Sequence, residues 1–184
     1  MESELAIAAG IQQQMLPRED AIAGRDKLVL QGLLKPARQI GGDLYDFQME
    51  GDHLYFTIGD VSGKGIPAAL FMAKTLTLFR AKVSKLLEPV AIASEINNDL
   101  GQNNDQAMFV TCFIGKLNIK TGKLIYTNAG HNPPLITGRG EPPEFLNAVS
   151  GLPLGSMPDT EYRQESLQIQ PEYKIILYTD GITE

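Results

Sequence analysis

Apolar residues recur along this chain with two different periods, and each change of period marks an element. Across residues 2–16 (ESELAIAAGIQQQML), Leu5, Ala8, Ala9, Gln12 and Met15/Leu16 fall at helical spacing and Pro17 closes the run. This predicts an amphipathic helix with a thin apolar seam. Residues 27–34 (KLVLQGLL) read as a β-prone run that ends at Pro36, and residues 54–58 (LYFTI) as a short apolar strand. Between them, Gly41-Gly42 and Gly51-Asp52 mark a turn and a hairpin tip. A long helical pattern covers residues 66–87, with Pro67 suited to a first turn, and a shorter one covers 90–100, stopped by Gly101 and the polar QNND. The period then shortens: residues 109–119 and 123–128 flank Lys120-Thr121-Gly122, a hairpin signature with glycine where a positive φ is expected. Proline and glycine crowd NAGHNPPLITGRGEPPEFL and GLPLG into loops and short strands, and a last apolar run, residues 173–178, ends in Thr179-Asp180-Gly181. Strands, two adjacent helices, then more strands predict a layered α+β domain, not alternating βαβ units.

Composition narrows what such a domain can do. The chain has 184 residues, 43% hydrophobic and 21% charged, which fits one soluble globular domain. Sixteen Lys and Arg against 22 Asp and Glu leave a formal charge of −6, which argues against nucleic acid and anionic membranes as partners. The single cysteine, Cys112, excludes an intramolecular disulfide and a zinc ribbon and fits a reducing, cytoplasmic location. Any metal must therefore be held by oxygen. No apolar run approaches the roughly 18–20 residues that cross a bilayer, and the N-terminus lacks a signal-peptide pattern.

Oxygen ligands are supplied by three aspartates with a shared local grammar: Asp43 after Gly41-Gly42, Asp60 after LYFTIG, and Asp180 after KIILYT. A carboxylate where a strand meets a loop is held by a rigid element while its head stays exposed, and adjacent glycine permits close approach. Any one of them alone is ordinary turn chemistry. Three together, converging at one rim, would form a hard-oxygen cage that stays ionised only around a cation, with Mg²⁺ or Mn²⁺ the best fit. Asp46, three residues after Asp43, would share its face on a helical turn or else be a solvated loop charge. GDVSGKGIP fails as a P-loop, because only three residues separate Gly59 from Gly63 and Gly65 follows Lys64. GGDLYDF lacks the Glu-Phe of a diguanylate-cyclase turn. His131 reads first as a hydrogen-bonded loop residue, His53 as an exposed hairpin residue, and Cys112 as buried packing.

Taken in order, GGDLYDF, FTIGDVSGKGIPAALFMA, MFVTCFIGKLN, YTNAGHNPPLI, GLPLG and LYTDGITE closely resemble the SpoIIE/RsbU-type bacterial serine phosphatases of the metal-dependent PPM class, over a stretch from about Gln12 to the end. The resemblance implies a four-layer α/β/β/α sandwich of two antiparallel sheets flanked by helices, with two Mn²⁺ or Mg²⁺ ions between the sheet edges. Matched position by position, Asp60 is the metal-bridging aspartate, Val61 offers its backbone carbonyl, Asp43 is the acidic ligand of the first motif and Asp180 that of the TDG motif. The implied activity is hydrolysis of phosphoserine or phosphothreonine in a protein, typically a STAS-domain anti-anti-sigma factor of a partner-switching pathway. No histidine follows Asp60, so a metal-held water is preferred over Ser62 and His131 as proton donor to the leaving alkoxide. The family continues past TDG-x-TE to a further aspartate, which implies a C-terminal truncation that removes one ligand and leaves a sheet edge open. Residues 1–17, ending in Met15-Leu16-Pro17, resemble the family's linker helix to an upstream sensor, a helix that often dimerises; residues 18–184 would be the phosphatase domain. The rival reading is a catalytically incompetent binding or dimerisation module.

Overall fold

A computed structural model describes residues 2–17, 28–35, 39–138, 140–146 and 148–182 of the chain. Helix α1 spans Glu2–Met15, followed by strands β1 (Leu44–Glu50) and β2 (His53–Val61), helices α2 (Ile66–Val83) and α3 (Pro89–Gly101), strands β3 (Val110–Asn118), β4 (Lys123–Ala129), β5 (Leu135–Thr137), β6 (Glu144–Phe145), β7 (Glu165–Gln168) and β8 (Lys174–Ile176), and a 3₁₀ turn at Asp180–Ile182. All described strand pairs are antiparallel, in a five-stranded sheet ordered β1-β2-β3-β4-β7 and a three-stranded sheet ordered β6-β5-β8. The expected α+β sandwich of two antiparallel sheets is thus present. Among the described residues its helical cover lies on the first sheet.

Period-two alternation explains how one sheet serves two cores. Leu44, Tyr55, Cys112 and Ile114 face the helices and pack with Met72, Leu76, Phe79, Ile92 and Ile96. Phe47, Leu54, Phe56, Phe113, Leu124 and Tyr126 face the other way and meet Ile136, Leu146 and Ile175 of the second sheet. The helices show the matching period: α3 buries Pro89, Ile92, Ala93, Ile96 and Leu100, spaced as one face of a 3.6-residue helix. Helix α2 begins after Gly65, at φ 76°, with proline in its first turn as expected. Gly122 closes the β3–β4 hairpin at φ 75°. No helix among the described residues is long and apolar enough to cross a membrane.

Six expectations change. The run at 27–34 forms no strand; residue 27 lies outside the described residues, and the rest is extended without ladder bonds, tucking Leu28 and Leu30 into the inter-sheet core while Val29 and Leu33 stay 88% and 90% exposed. Its β-prone apolar residues made it strand-like, but a strand also needs a hydrogen-bonded neighbour. Conversely, residues after the Gly41-Gly42 turn form β1, paired along its whole length with β2. Asp46 lies within β1 and is neither on a helical turn nor solvated. Alternation turns it to the helix side, where it is 2% exposed, and Arg80 Nε of α2 donates to it at 2.6 Å. His53 opens β2 half-buried, its Nε2 3.3 Å from Asn118 Nδ2. Helix α2 stops at Val83, where Leu86 adopts φ 58°, and the final run yields only β8.

Candidate metal and active site

The register of the first hairpin begins the site. Leu44 pairs with Gly59, so Asp43 just before β1 comes alongside Asp60 near the end of β2. Gly42 eases this approach: a Cβ there would sit 3.0 Å from both the Cβ and the carbonyl oxygen of Val61, a contact so tight that the Val61 strand would have to give way slightly. Asp60 follows Phe56 and Ile58 in alternation, and so projects on the inter-sheet face of β2.

Electrostatics ties the third aspartate to this pair. Asp43 and Asp60 share a side-chain hydrogen bond, Thr179 donates to Asp43, and the charge of Asp180 acts on both. Burial, then the charges of Asp43 and Asp180, push the Asp60 carboxyl up to about 6. Burial likewise raises Asp43, against the stabilising bond from Thr179. Asp43 and Asp60 therefore lie side by side at the start of β1 and the end of β2, and the charge of Asp180, from the 3₁₀ turn after β8, reaches both. Among the described residues no three acidic, histidine or cysteine side chains form a ready-made cage. Asp43 and Asp60 make a tight pair with Asp180 as a neighbouring charge.

This donor set fits a hard divalent cation. Every candidate ligand is an oxygen, and like-charged carboxylates held side by side are a site where a cation would relieve repulsion. Cys112 takes no part: it is buried on the opposite face of the sheet, 3.6 Å from Thr57 Oγ1, with its thiol pushed up to about 12 by desolvation.

His131 is less available than a loop histidine in the sequence suggests. It is 6% exposed, Nδ1 lies 2.9 Å from Thr111 Oγ1, and Nε2 lies 3.1 Å from the carbonyl oxygen of Tyr178. Burial lowers its pKa to about 4. With both nitrogens engaged it is poorly placed to deliver a proton to substrate. Ser62 sits at the partly exposed end of β2, where its Oγ accepts the Phe109 N–H at 3.0 Å.

Two further tethers, invisible to motif reading, connect α1 with this region. The Gln12 amide both donates to the Gly41 carbonyl at 2.7 Å and accepts the Gly41 N–H at 3.1 Å, two residues before Asp43. Arg80, besides pairing with Asp46, donates to the carbonyl oxygen of Met15. Gln12 could have been suspected from one signal, a polar residue within the apolar seam of a helix.

The chain is similar in sequence and fold to known proteins. The family model described as Stage II sporulation protein E (SpoIIE) matches residues 50–184. Phosphoserine phosphatase RsbU of Bacillus subtilis (strain 168) is 31% identical over 188 residues, an alignment that covers 100% of this chain and 54% of RsbU. The crystal structure of the RsbU and RsbW domains of Rv1364c from Mycobacterium tuberculosis superposes with TM-score 0.73 at 28% identity, over 82% of this chain and 42% of that one. The SiaA PP2C domain of Pseudomonas aeruginosa shares the fold, with TM-score 0.82 at 21% identity, over 98% of this chain and 72% of that one. The chain spans about half the length, or less, of the curated relatives it matches.

Proposed function

We propose, from the premise that this chain belongs to the SpoIIE family, that it is the phosphatase domain of a divalent-metal-dependent protein serine/threonine phosphatase. Its substrate is phosphoserine or phosphothreonine in a protein, by the family resemblance a STAS-domain anti-anti-sigma factor in a partner-switching pathway. What supports this reading is Asp43 beside Asp60 across the first hairpin, with the charge of Asp180 acting on both. Asp43, Asp60, Asp180 and the Val61 carbonyl would hold two Mg²⁺ or Mn²⁺ ions. Such ions neutralise phosphate oxygens and acidify an attacking water.

The chain's own residues prepare the site. Gly42 admits Asp43 beside β2, the ladder of β2 with β3 holds Asp60 rigidly, and Thr179 orients the Asp43 carboxylate. Asp60 projects on the same face of the sheet as the aromatic inter-sheet core, in which Phe56, Phe113 and Tyr126 stack. Residues 18–184 constitute the catalytic domain, and residues 1–17 a linker-type helix.

An exposed apolar stripe supports a second role for that helix. Ile7 and Ile11 of α1 and Ile66 and Leu70 of α2 remain exposed beside an apolar cavity of about 460 Å³. This face suits an upstream regulatory domain or a second copy of the chain. The rival reading, a module that binds or dimerises without catalysis, draws on the same stripe.

The direct test is phosphate release from a phosphorylated STAS-domain protein with Mn²⁺ or Mg²⁺ and with EDTA. Metal-stimulated release that disappears in Asp60→Asn is expected. Partner binding without any metal-stimulated hydrolysis would instead favour the non-catalytic module.

A further inference from the structure

Resting on the reading of Asp60 and Asp180 as metal ligands, we infer that His131 is a positioning residue, a hydrogen-bonded strut between the sheets that fixes the segment carrying Asp180 relative to Asp60. Thr111, which bonds Nδ1, is the direct register partner of Asp60 across the β2–β3 ladder. Tyr178, whose carbonyl bonds Nε2, lies two residues before Asp180. One imidazole therefore joins the first sheet at the level of Asp60 to the loop of the second ligand.

The strut is itself anchored. Asn128 Oδ1 accepts the His131 N–H at 2.8 Å, and Asn128 Nδ2 donates to the His131 carbonyl at 2.9 Å, so a side-chain amide clamps the residue's own backbone. The position of the proton follows from the partners. A carbonyl can only accept, so Nε2 carries the hydrogen towards Tyr178, and Nδ1 accepts from the Thr111 hydroxyl. The far side needs such a tie: the ladder of β8 with β5 ends at Ile176, before residues 177–179 that lead to Asp180. Partners of this kind, which orient ligand-bearing segments, commonly contribute about 10–100-fold to metal affinity.

The geometry separates the two bonds by side-chain length. Glutamine places its amide nitrogen near Nε2 and keeps the Tyr178 bond; asparagine reaches only the position of Nδ1 and loses it. The experiment measures Mn²⁺ affinity by isothermal titration calorimetry on the whole chain, alongside urea unfolding in EDTA. His131→Asn should weaken Mn²⁺ binding at least about tenfold, with His131→Gln within about threefold of wild type and both variants of similar metal-free stability. Unchanged affinity in His131→Asn, or equal losses in both variants, overturns the inference. Should the His131 variants fail to fold, Thr111→Val should weaken binding while Thr111→Ser retains it, and equal affinities there overturn it too. A wild-type chain that binds no Mn²⁺ overturns the metal reading and the strut together, whereas wild-type binding that His131→Asn leaves intact overturns the strut alone.

Discussion

Replacing Asp60 by Asn should make the metal-free protein more stable while abolishing its activity. The Asp60 carboxyl rises from 3.8 to about 6 on folding, through burial first and then the charges of Asp43 and Asp180. A carboxyl with a raised folded pKa binds more protons folded than unfolded between those two values. Its contribution to stability is therefore fully present below pH 3.8 and is lost as pH rises through 6. At about 1.4 kcal/mol per tenfold change in proton affinity, the penalty at pH 7.5 is at most ~3 kcal/mol. Asp60 is partly solvent-accessible, and screening reduces this to about 1–1.5 kcal/mol. For a chain of this length that is about 2–6 °C in Tm. The assay is thermal and urea unfolding of wild type and D60N in EDTA at pH 7.5 and pH 4. D60N should be the more stable at pH 7.5, with its advantage shrinking towards pH 4. Saturating Mn²⁺ should reverse the order, since a ligand at 100 times its Kd stabilises a competent site by about 2.7 kcal/mol. A D60N protein less stable than wild type in EDTA, or equally stabilised by Mn²⁺, would refute the reasoning that these carboxylates repel one another until a cation joins them.

Three other perturbations probe separate parts of the fold. Gly42→Ala places a methyl 3.0 Å from the Val61 backbone and should lower stability by about 1–2 kcal/mol in urea unfolding while weakening Mn²⁺-stimulated phosphate release; wild-type behaviour in both assays would contradict the close-approach argument. Arg80→Ala leaves the Asp46 carboxylate buried without its guanidinium and should destabilise by about 2–3 kcal/mol, less than for a fully enclosed pair because Arg80 is partly exposed; the double variant Asp46→Leu/Arg80→Met should recover much of that loss. His131, whose pKa falls from 6.5 to about 4 on folding, contributes stability that is present above pH 6.5 and lost as pH falls towards 4. His131→Gln should therefore lose less stability between pH 6.5 and pH 4.5 than wild type does, and parallel stability–pH curves would show that the imidazole is not held neutral.

Local periodicity alone sufficed for α1, α3, the β3–β4 hairpin with Gly122 at its turn, and the presence of aspartates at strand ends. Those features depend on residues a few positions apart, where helical or alternating spacing and a positive φ are written directly into the order of side chains. Tertiary structure decided the remainder. Tyr45, Phe47 and Met49 alternate with Asp46, Gln48 and Glu50 along β1, but that alternation does not say which face is buried, and Asp46 is acceptable inside only because Arg80, 34 positions later, is delivered by α2. The run at 28–34 carries β-prone apolar residues yet gains no strand partner. Most consequentially, Asp43, Asp60 and Asp180 each look like ordinary turn residues, and their common end of the fold arises from sheet register, from Gly42 against Val61, and from contacts that bring the second sheet to the first. A chain encodes such long-range pairings only through the summed packing of whole layers, so no short window of sequence contains them.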